Sequence, residues 1–107
     1  MGHHGRAPLR RIVVLTPRYL SRVRAIGIES RTARSRALGA VVRALSEEDD
    51  LPGVFDAVAL MPPTAGAFVR RVPGFNLWVW YTLRESGDGQ ELVIATLTEE
   101  PPVPLLD

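Results

Sequence analysis

The sequence contains no cysteine, no lysine and only two histidines, His3 and His4. The absence of cysteine excludes disulfides, thiolate metal sites and a cysteine nucleophile. Because no histidine follows position 4, a His-dependent catalytic triad or a histidine zinc site is excluded from the rest of the chain. The sequence also lacks a Walker phosphate loop and a dinucleotide-binding glycine fingerprint. We therefore expect no metal site and no small-molecule cofactor.

Long apolar runs are missing as well. No stretch approaches the roughly 18 apolar residues of a membrane span, and the N-terminus lacks the apolar core of a secretion signal. These absences predict a cytoplasmic protein that does not contact a membrane. A chain of 107 residues, 46% hydrophobic and 23% charged, has the size and composition of one globular domain.

The charge is distributed unevenly along the chain. Residues 1–46 contain ten arginines and one acid, whereas residues 47–107 contain three arginines and eleven acids. The two parts carry net charges of +9 and −8, which leaves the formal net charge of +1. Two explanations stay open: a compositional bias toward arginine, or a basic surface that binds phosphate or an acidic partner.

The N-terminal half predicts one strand followed by two helices. The apolar, β-branched run within 9–15 is typical of a buried strand. Thr16 and Pro17 are favoured residues at a helix start, and Gly27 is favoured just after a helix end. A second helix is predicted over 30–45, where the residues at i, i+3, i+4 and i+7 form one apolar stripe: Leu38, Val41, Val42 and Leu45.

The C-terminal half predicts a hairpin-linked sheet. Strands are indicated over 67–72, 76–83 and 91–98, with a turn at Pro73-Gly74. The segment 54–61 is compatible with a strand or a short helix, and the prolines that follow it favour a strand. Helices grouped before a run of strands indicate the α+β class rather than repeated βαβ units.

The predicted architecture is two N-terminal helices packed on one face of a mostly antiparallel sheet. The element order is β-α-α-β-β-β, with an extra short strand left open over 54–61. We expect a flexible leader at 1–8, a single domain at 9–100 and an extended, proline-rich tail at 101–107.

The strand at 76–83 predicts a sheet with two different faces. One, the aliphatic face, carries Leu77, Val79, Tyr81 and Leu83, and the helices are expected to pack on it. The other, the tryptophan face, carries Asn76, Trp78, Trp80 and Thr82. A two-residue hairpin at Pro73-Gly74 would pair Arg71 with Asn76, on the tryptophan face, and Arg70 with Leu77, on the aliphatic face.

Exposed tryptophans beside an arginine would form a stacking platform for single-stranded nucleic acid, worth roughly 1–3 kcal/mol per base. The alternative is that both tryptophans pack in the interior. The candidate nucleic-acid-binding residues are Trp78, Trp80, Asn76 and Arg84. With histidine and cysteine excluded, catalysis would rest on arginine, tyrosine or acids, and the candidates are Arg70, Arg71, Arg84, Tyr81, Glu99 and Glu100.

Several of these features together resemble the RelE/ParE toxin superfamily over roughly residues 10–98. The matching residues are Leu15-Thr16-Pro17 before two Arg-rich helices, Arg70-Arg71-Val72-Pro73-Gly74 in the hairpin, and Val79-Trp80-Tyr81 in the central strand. The resemblance implies the toxin of a type II toxin–antitoxin pair, neutralised by a cognate antitoxin protein.

The superfamily includes two modes of action. RelE-like members are metal-independent endoribonucleases that cut ribosome-bound mRNA, and the resemblance implies catalytic roles for Arg70, Arg71 and Tyr81. ParE-like members bind DNA gyrase and need no nuclease residues. Both stay open, because members commonly carry an arginine where this chain has Trp78, and because Glu99-Glu100 makes the segment after the last strand acidic. A third hypothesis is an unrelated α+β protein-interaction module.

Overall fold

A computed structural model describes residues 11–60, 62–87 and 89–102. The predicted leader at 1–8 and the tail after Pro102 lie outside the described residues. The elements are β1 (Ile12–Leu15), α1 (Pro17–Ile26), α2 (Ala33–Glu47), β2 (Ala57–Val58), β3 (Phe68–Arg71), β4 (Trp78–Ser86) and β5 (Gly89–Thr98). The α+β class and the element order are confirmed, and the segment left open over 54–61 contains the short strand β2.

The helix ends follow local signals. The Oγ1 atom of Thr16 accepts a hydrogen bond from the Tyr19 N–H at 3.1 Å, and Gly27 ends α1 with a φ of 82°, in the left-handed region that favours glycine. Thr32 caps α2 in the same way through the N–H of Ser35, at 3.1 Å. The second helix therefore begins slightly later than predicted.

The five strands form one sheet in the order β1-β5-β4-β3-β2, in which β1 is parallel to β5 and the other pairs are antiparallel. This order puts β1 at an edge. The prediction of a buried strand there is wrong: Ile12 is 62% exposed and Leu15 is 44% exposed. Side chains of a strand point to the faces of the sheet, and those of β1 lie outside the buried core, which consists of residues from the helices, the other strands and their connections.

The main core lies between the helices and the aliphatic face, as predicted. The helices contribute four buried side chains, Tyr19, Leu38, Val41 and Leu45. The sheet and its connections contribute Val72, Leu77, Val79, Tyr81, Leu92, Ile94 and Leu97. Neither helix in the described part of the chain is long and apolar enough to cross a membrane.

The hairpin between β3 and β4 has a different register from the one predicted, but each arginine side chain lies on the predicted face of the sheet. Arg71 pairs with Trp78, not Asn76, and Arg70 pairs with Val79, not Leu77. The strand pairing ends at Arg71 and Trp78, and the connection beyond it includes Val72 and Leu77, which lie in the main core and are joined by a hydrogen bond from the Val72 N–H to the Leu77 carbonyl at 2.8 Å. A shift of two residues preserves the side-chain alternation, so Arg71 still shares the tryptophan face.

A second, smaller core covers part of the tryptophan face. Trp80 is 1% exposed and packs with Ala59, Ala67 and Val69. Two backbone hydrogen bonds close the connection between β2 and β3: the Ala59 N–H donates to the Ala67 carbonyl at 2.8 Å, and the Gly66 N–H donates to the Ala59 carbonyl at 2.7 Å. The prediction of a face that exposes both tryptophans is therefore wrong for Trp80, because this connection forms a layer that no sequence pattern indicated.

Candidate functional site

Arg70 is bound by two carboxylates on the aliphatic side of the sheet. Its Nε donates to Oδ1 of Asp56 at 2.6 Å, and its Nη2 donates to Oδ2 at 2.9 Å. Its Nη1 and Nη2 donate to the two carboxylate oxygens of Glu48 at 2.7 and 2.8 Å. These bonds use four of the five N–H donors of the guanidinium group. Arg70 is thus held by two bidentate pairs, the strongest geometry for this ion.

Asp56 links Arg70 to the central strand. Its side chain is 0% exposed. Besides the two bonds from Arg70, its Oδ2 accepts hydrogen bonds from the Tyr81 hydroxyl and from the Gly53 N–H, the latter at 2.8 Å. Glycine at position 53 makes room for this arrangement, since a Cβ there would collide with the Arg70 guanidinium. We call Glu48, Asp56, Arg70 and Tyr81 the Asp56 cluster.

The electrostatics of the Asp56 cluster fix each protonation state at neutral pH. Burial alone would raise the pKa of Asp56, but hydrogen bonds from Arg70, Tyr81 and Gly53 outweigh burial and lower that pKa. The hydrogen bond from Arg70 lowers the pKa of Glu48. Burial and the bond to Asp56 raise the pKa of Tyr81 well above its ordinary value. The cluster is therefore one cation between two anions, with a neutral tyrosine.

This arrangement limits what Arg70 and Tyr81 can do chemically. A guanidinium group needs free N–H donors to hold a phosphate. Four of the five donors of Arg70 are already bonded to the carboxylates of Asp56 and Glu48. A buried tyrosine with a raised pKa does not lose its proton at neutral pH. The Asp56 cluster instead ties the end of α2 and the turn before β2 to strands β3 and β4, which is a structural task.

Arg71 lies on the opposite face of the sheet from Arg70 and Tyr81. Its guanidinium carbon is 5.6 Å from the centroid of the Trp78 ring, a cation–π distance. Its Nη2 donates to the Asn76 side-chain oxygen at 3.3 Å, and its Nε donates to the Phe75 carbonyl at 3.2 Å. The structure thus brings three of the predicted residues together, and we call Arg71, Asn76 and Trp78 the Arg71 cluster.

The remaining predicted residues lie elsewhere. Arg84 is about 20 Å from Trp78 along β4, and its Nη2 is 2.5 Å from a Glu91 carboxylate oxygen. The Trp80 ring N–H donates to the Thr98 hydroxyl at 2.9 Å, inside the smaller core. Glu99 and Glu100 line a groove that also contains Arg18 and Arg22 of α1. The predicted catalytic and nucleic-acid-binding residues therefore do not form one site.

Sequence reasoning missed two residues that organise this region. Asp56 was not singled out, although it is the one charged residue in the apolar run 54–61, and a lone acid in such a run indicates a buried ion pair. Arg11 was also missed. It is 7% exposed and donates to the carbonyls of Leu45, Glu48 and Asp49, and so it caps the end of α2.

Comparison with known proteins returned no match: no protein-family model, no curated protein and no solved structure matches this chain.

Proposed function

We propose that this chain is the toxin of a type II toxin–antitoxin pair and acts by binding protein, as ParE-like members do, without cutting RNA. The observation that carries the proposal is the Asp56 cluster, in which Glu48 and Asp56 occupy the donors of Arg70 and Asp56 binds the Tyr81 hydroxyl. Arg70 and Tyr81, two of the three residues that a nuclease mechanism would use, instead form hydrogen bonds that stabilise the fold. A toxin that works by binding needs neither.

The element order supports the superfamily resemblance on which the proposal rests. The chain has the strand, two Arg-rich helices and hairpin-linked strands that the resemblance implies. Thr16 and Pro17 belong to that pattern, and in the structure they stand at the start of α1.

The exposed arginines of the two helices support a protein partner with acidic character. Five arginines in and next to α1 and α2 are exposed: Arg18, Arg24, Arg31, Arg36 and Arg43. A basic surface attracts a partner of opposite charge and excludes basic ones. We propose that the cognate antitoxin meets this surface with acidic side chains, and that DNA gyrase is the cellular target.

The experiment is inducible expression of the chain in a bacterium, with and without the adjacent open reading frame. We expect growth arrest from the chain alone and normal growth when both proteins are made. Arg71→Ala should arrest growth as strongly as the wild type, because binding does not require a phosphate clamp. Arg36→Glu combined with Arg43→Glu should weaken the rescue, because the two changes reverse charge on the proposed antitoxin surface. Normal growth with the chain alone at full expression would refute the proposal.

RelE-like mRNA cleavage is a second candidate, and the Arg71 cluster is the observation that favours it. An exposed cation over an indole ring, beside an amide, has the groups that hold a phosphate and a neighbouring base. This candidate predicts that Arg71→Ala abolishes growth arrest while the melting temperature is unchanged. The same expression experiment therefore separates the two candidates.

A further inference from the structure

Both edge strands of the described sheet carry exposed apolar side chains, and the most exposed of these side chains lie in and next to β2. Val54 and Phe55 are each 93% exposed, Leu60 is 79% exposed and Val58 is 49% exposed. Single exposed apolar residues are ordinary, but four within seven residues are the kind of group that marks an interaction site. We call these four residues the β2-edge patch.

The backbone beside this patch is open for pairing. In the described sheet β2 pairs with β3 alone, so the outer edge of Ala57–Val58 has no strand beside it. Proteins commonly protect such an edge with charged side chains. Here the one charged residue between positions 54 and 60 is Asp56, and its side chain is 0% exposed because it binds Arg70. Between positions 54 and 60 this edge therefore presents apolar side chains and no exposed charge, and no strand of the described sheet pairs with its outer side.

We propose that the β2-edge patch binds a second copy of this chain, with the two β2 edges running antiparallel about a twofold axis. A twofold interface brings each surface against its own copy, so any net charge on it would face like charge. The arginine-rich helical surface is unsuited to this, whereas the uncharged β2-edge patch is suited to it. Pairing of the two edges would extend the sheet across both copies. This inference does not depend on the proposed toxin function.

The size of the patch sets the expected affinity. Its four side chains expose roughly 500 Å² of apolar surface. Two copies would together bury about 1,000 Å², which is the lower limit for a specific interface. The dimer should therefore have a dissociation constant on the order of micromolar.

The first test is sedimentation equilibrium of the full chain over roughly 1–200 μM, a range that brackets the expected constant. We expect the average mass to rise from 11.8 kDa toward twice that value. Phe55→Asp should weaken the association by about 30-fold or more, the effect of losing a central contact. Ile12→Asp is the matched control, since Ile12 is 62% exposed at the opposite edge, and it should leave the association unchanged. Circular dichroism verifies that each variant is folded.

The second test locates the interface. Because the chain has no cysteine, a single introduced thiol can cross-link only to its counterpart in another copy. Under oxidising conditions Val58→Cys should form a covalent dimer, and Ile12→Cys should stay monomeric. A chain that stays monomeric at the highest concentration would overturn the proposal, and this holds even if the β2-edge patch binds a different protein. Cross-linking through Ile12→Cys but not Val58→Cys would overturn it too.

Discussion

Replacing Asp56 with alanine should destabilise the protein strongly, and much more than the same substitution at Glu48. The Asp56 side chain is 0% exposed and accepts hydrogen bonds from Arg70, Tyr81 and Gly53. Alanine would leave the buried Tyr81 hydroxyl without its acceptor, at a cost of about 1–3 kcal/mol. Arg70 would keep Glu48 but lose a buried bidentate partner.

The expected total is about 3–5 kcal/mol, the range for breaking a buried ion pair by removing one partner. A small domain has about 5–15 kcal/mol of stability, so this loss is a large share of the free energy of unfolding. Glu48→Ala should cost about 1 kcal/mol or less, because the Glu48 side chain is 41% exposed and solvent screens its pairing.

The assay is urea unfolding followed by tryptophan fluorescence, since Trp80 is buried in the native state and its emission changes on exposure. Asp50→Ala is the matched control: Asp50 is an exposed acid nearby, and its loss should change the free energy of unfolding by about 0.5 kcal/mol or less. An Asp56→Ala variant that loses no more free energy of unfolding than Glu48→Ala would show that Asp56 is not the central anion of the Asp56 cluster.

Three further predictions follow from the same packing. Folding lowers the pKa values of Asp56 and Glu48. Their contribution to the free energy of unfolding is therefore fully present above the ordinary carboxyl pKa of about 4, and it is lost as the pH falls through their pKa values in the folded protein. Urea unfolding between pH 2 and about pH 7 should show that loss, with a shallower slope for Asp56→Asn. Tyr81→Phe should cost about 1–2 kcal/mol by the same assay, because only its hydrogen bond to Asp56 is removed. Leu45→Ala should cost about 2–5 kcal/mol, because Leu45 is 0% exposed in the main core, and a thermal melt should show the lowered midpoint.

The sequence predicted the features that depend on neighbouring residues. Thr16, Pro17 and Gly27 specify the ends of α1 through contacts within a few positions. The alternation along β4 also predicted which face the helices cover, since side-chain direction in a strand has a period of two. These signals need no knowledge of distant partners.

The features that failed depend on contacts between distant parts of the chain. The apolar residues of β1 are equally compatible with a central or an edge strand, and only the sheet order decides. Trp80 is covered by a connection whose path no periodicity encodes. Arg70 meets Glu48, which is 22 positions away, and Tyr81 meets Asp56, which is 25 positions away. The sequence therefore indicated Arg70 and Tyr81 as candidates, but it did not reveal that Glu48 and Asp56 would form hydrogen bonds with them.

The most direct test of the proposed function is RNA cleavage by the purified chain, using ribosomes programmed with a defined mRNA and primer extension to map cuts. We predict that the mRNA stays intact at a concentration of the chain that arrests growth in cells. The reason is that the N–H donors of Arg70 are bonded to Glu48 and Asp56, and the Tyr81 hydroxyl is bonded to Asp56. Cleavage at codon positions that disappears in a folded Arg71→Ala variant would contradict the account and establish the nuclease alternative.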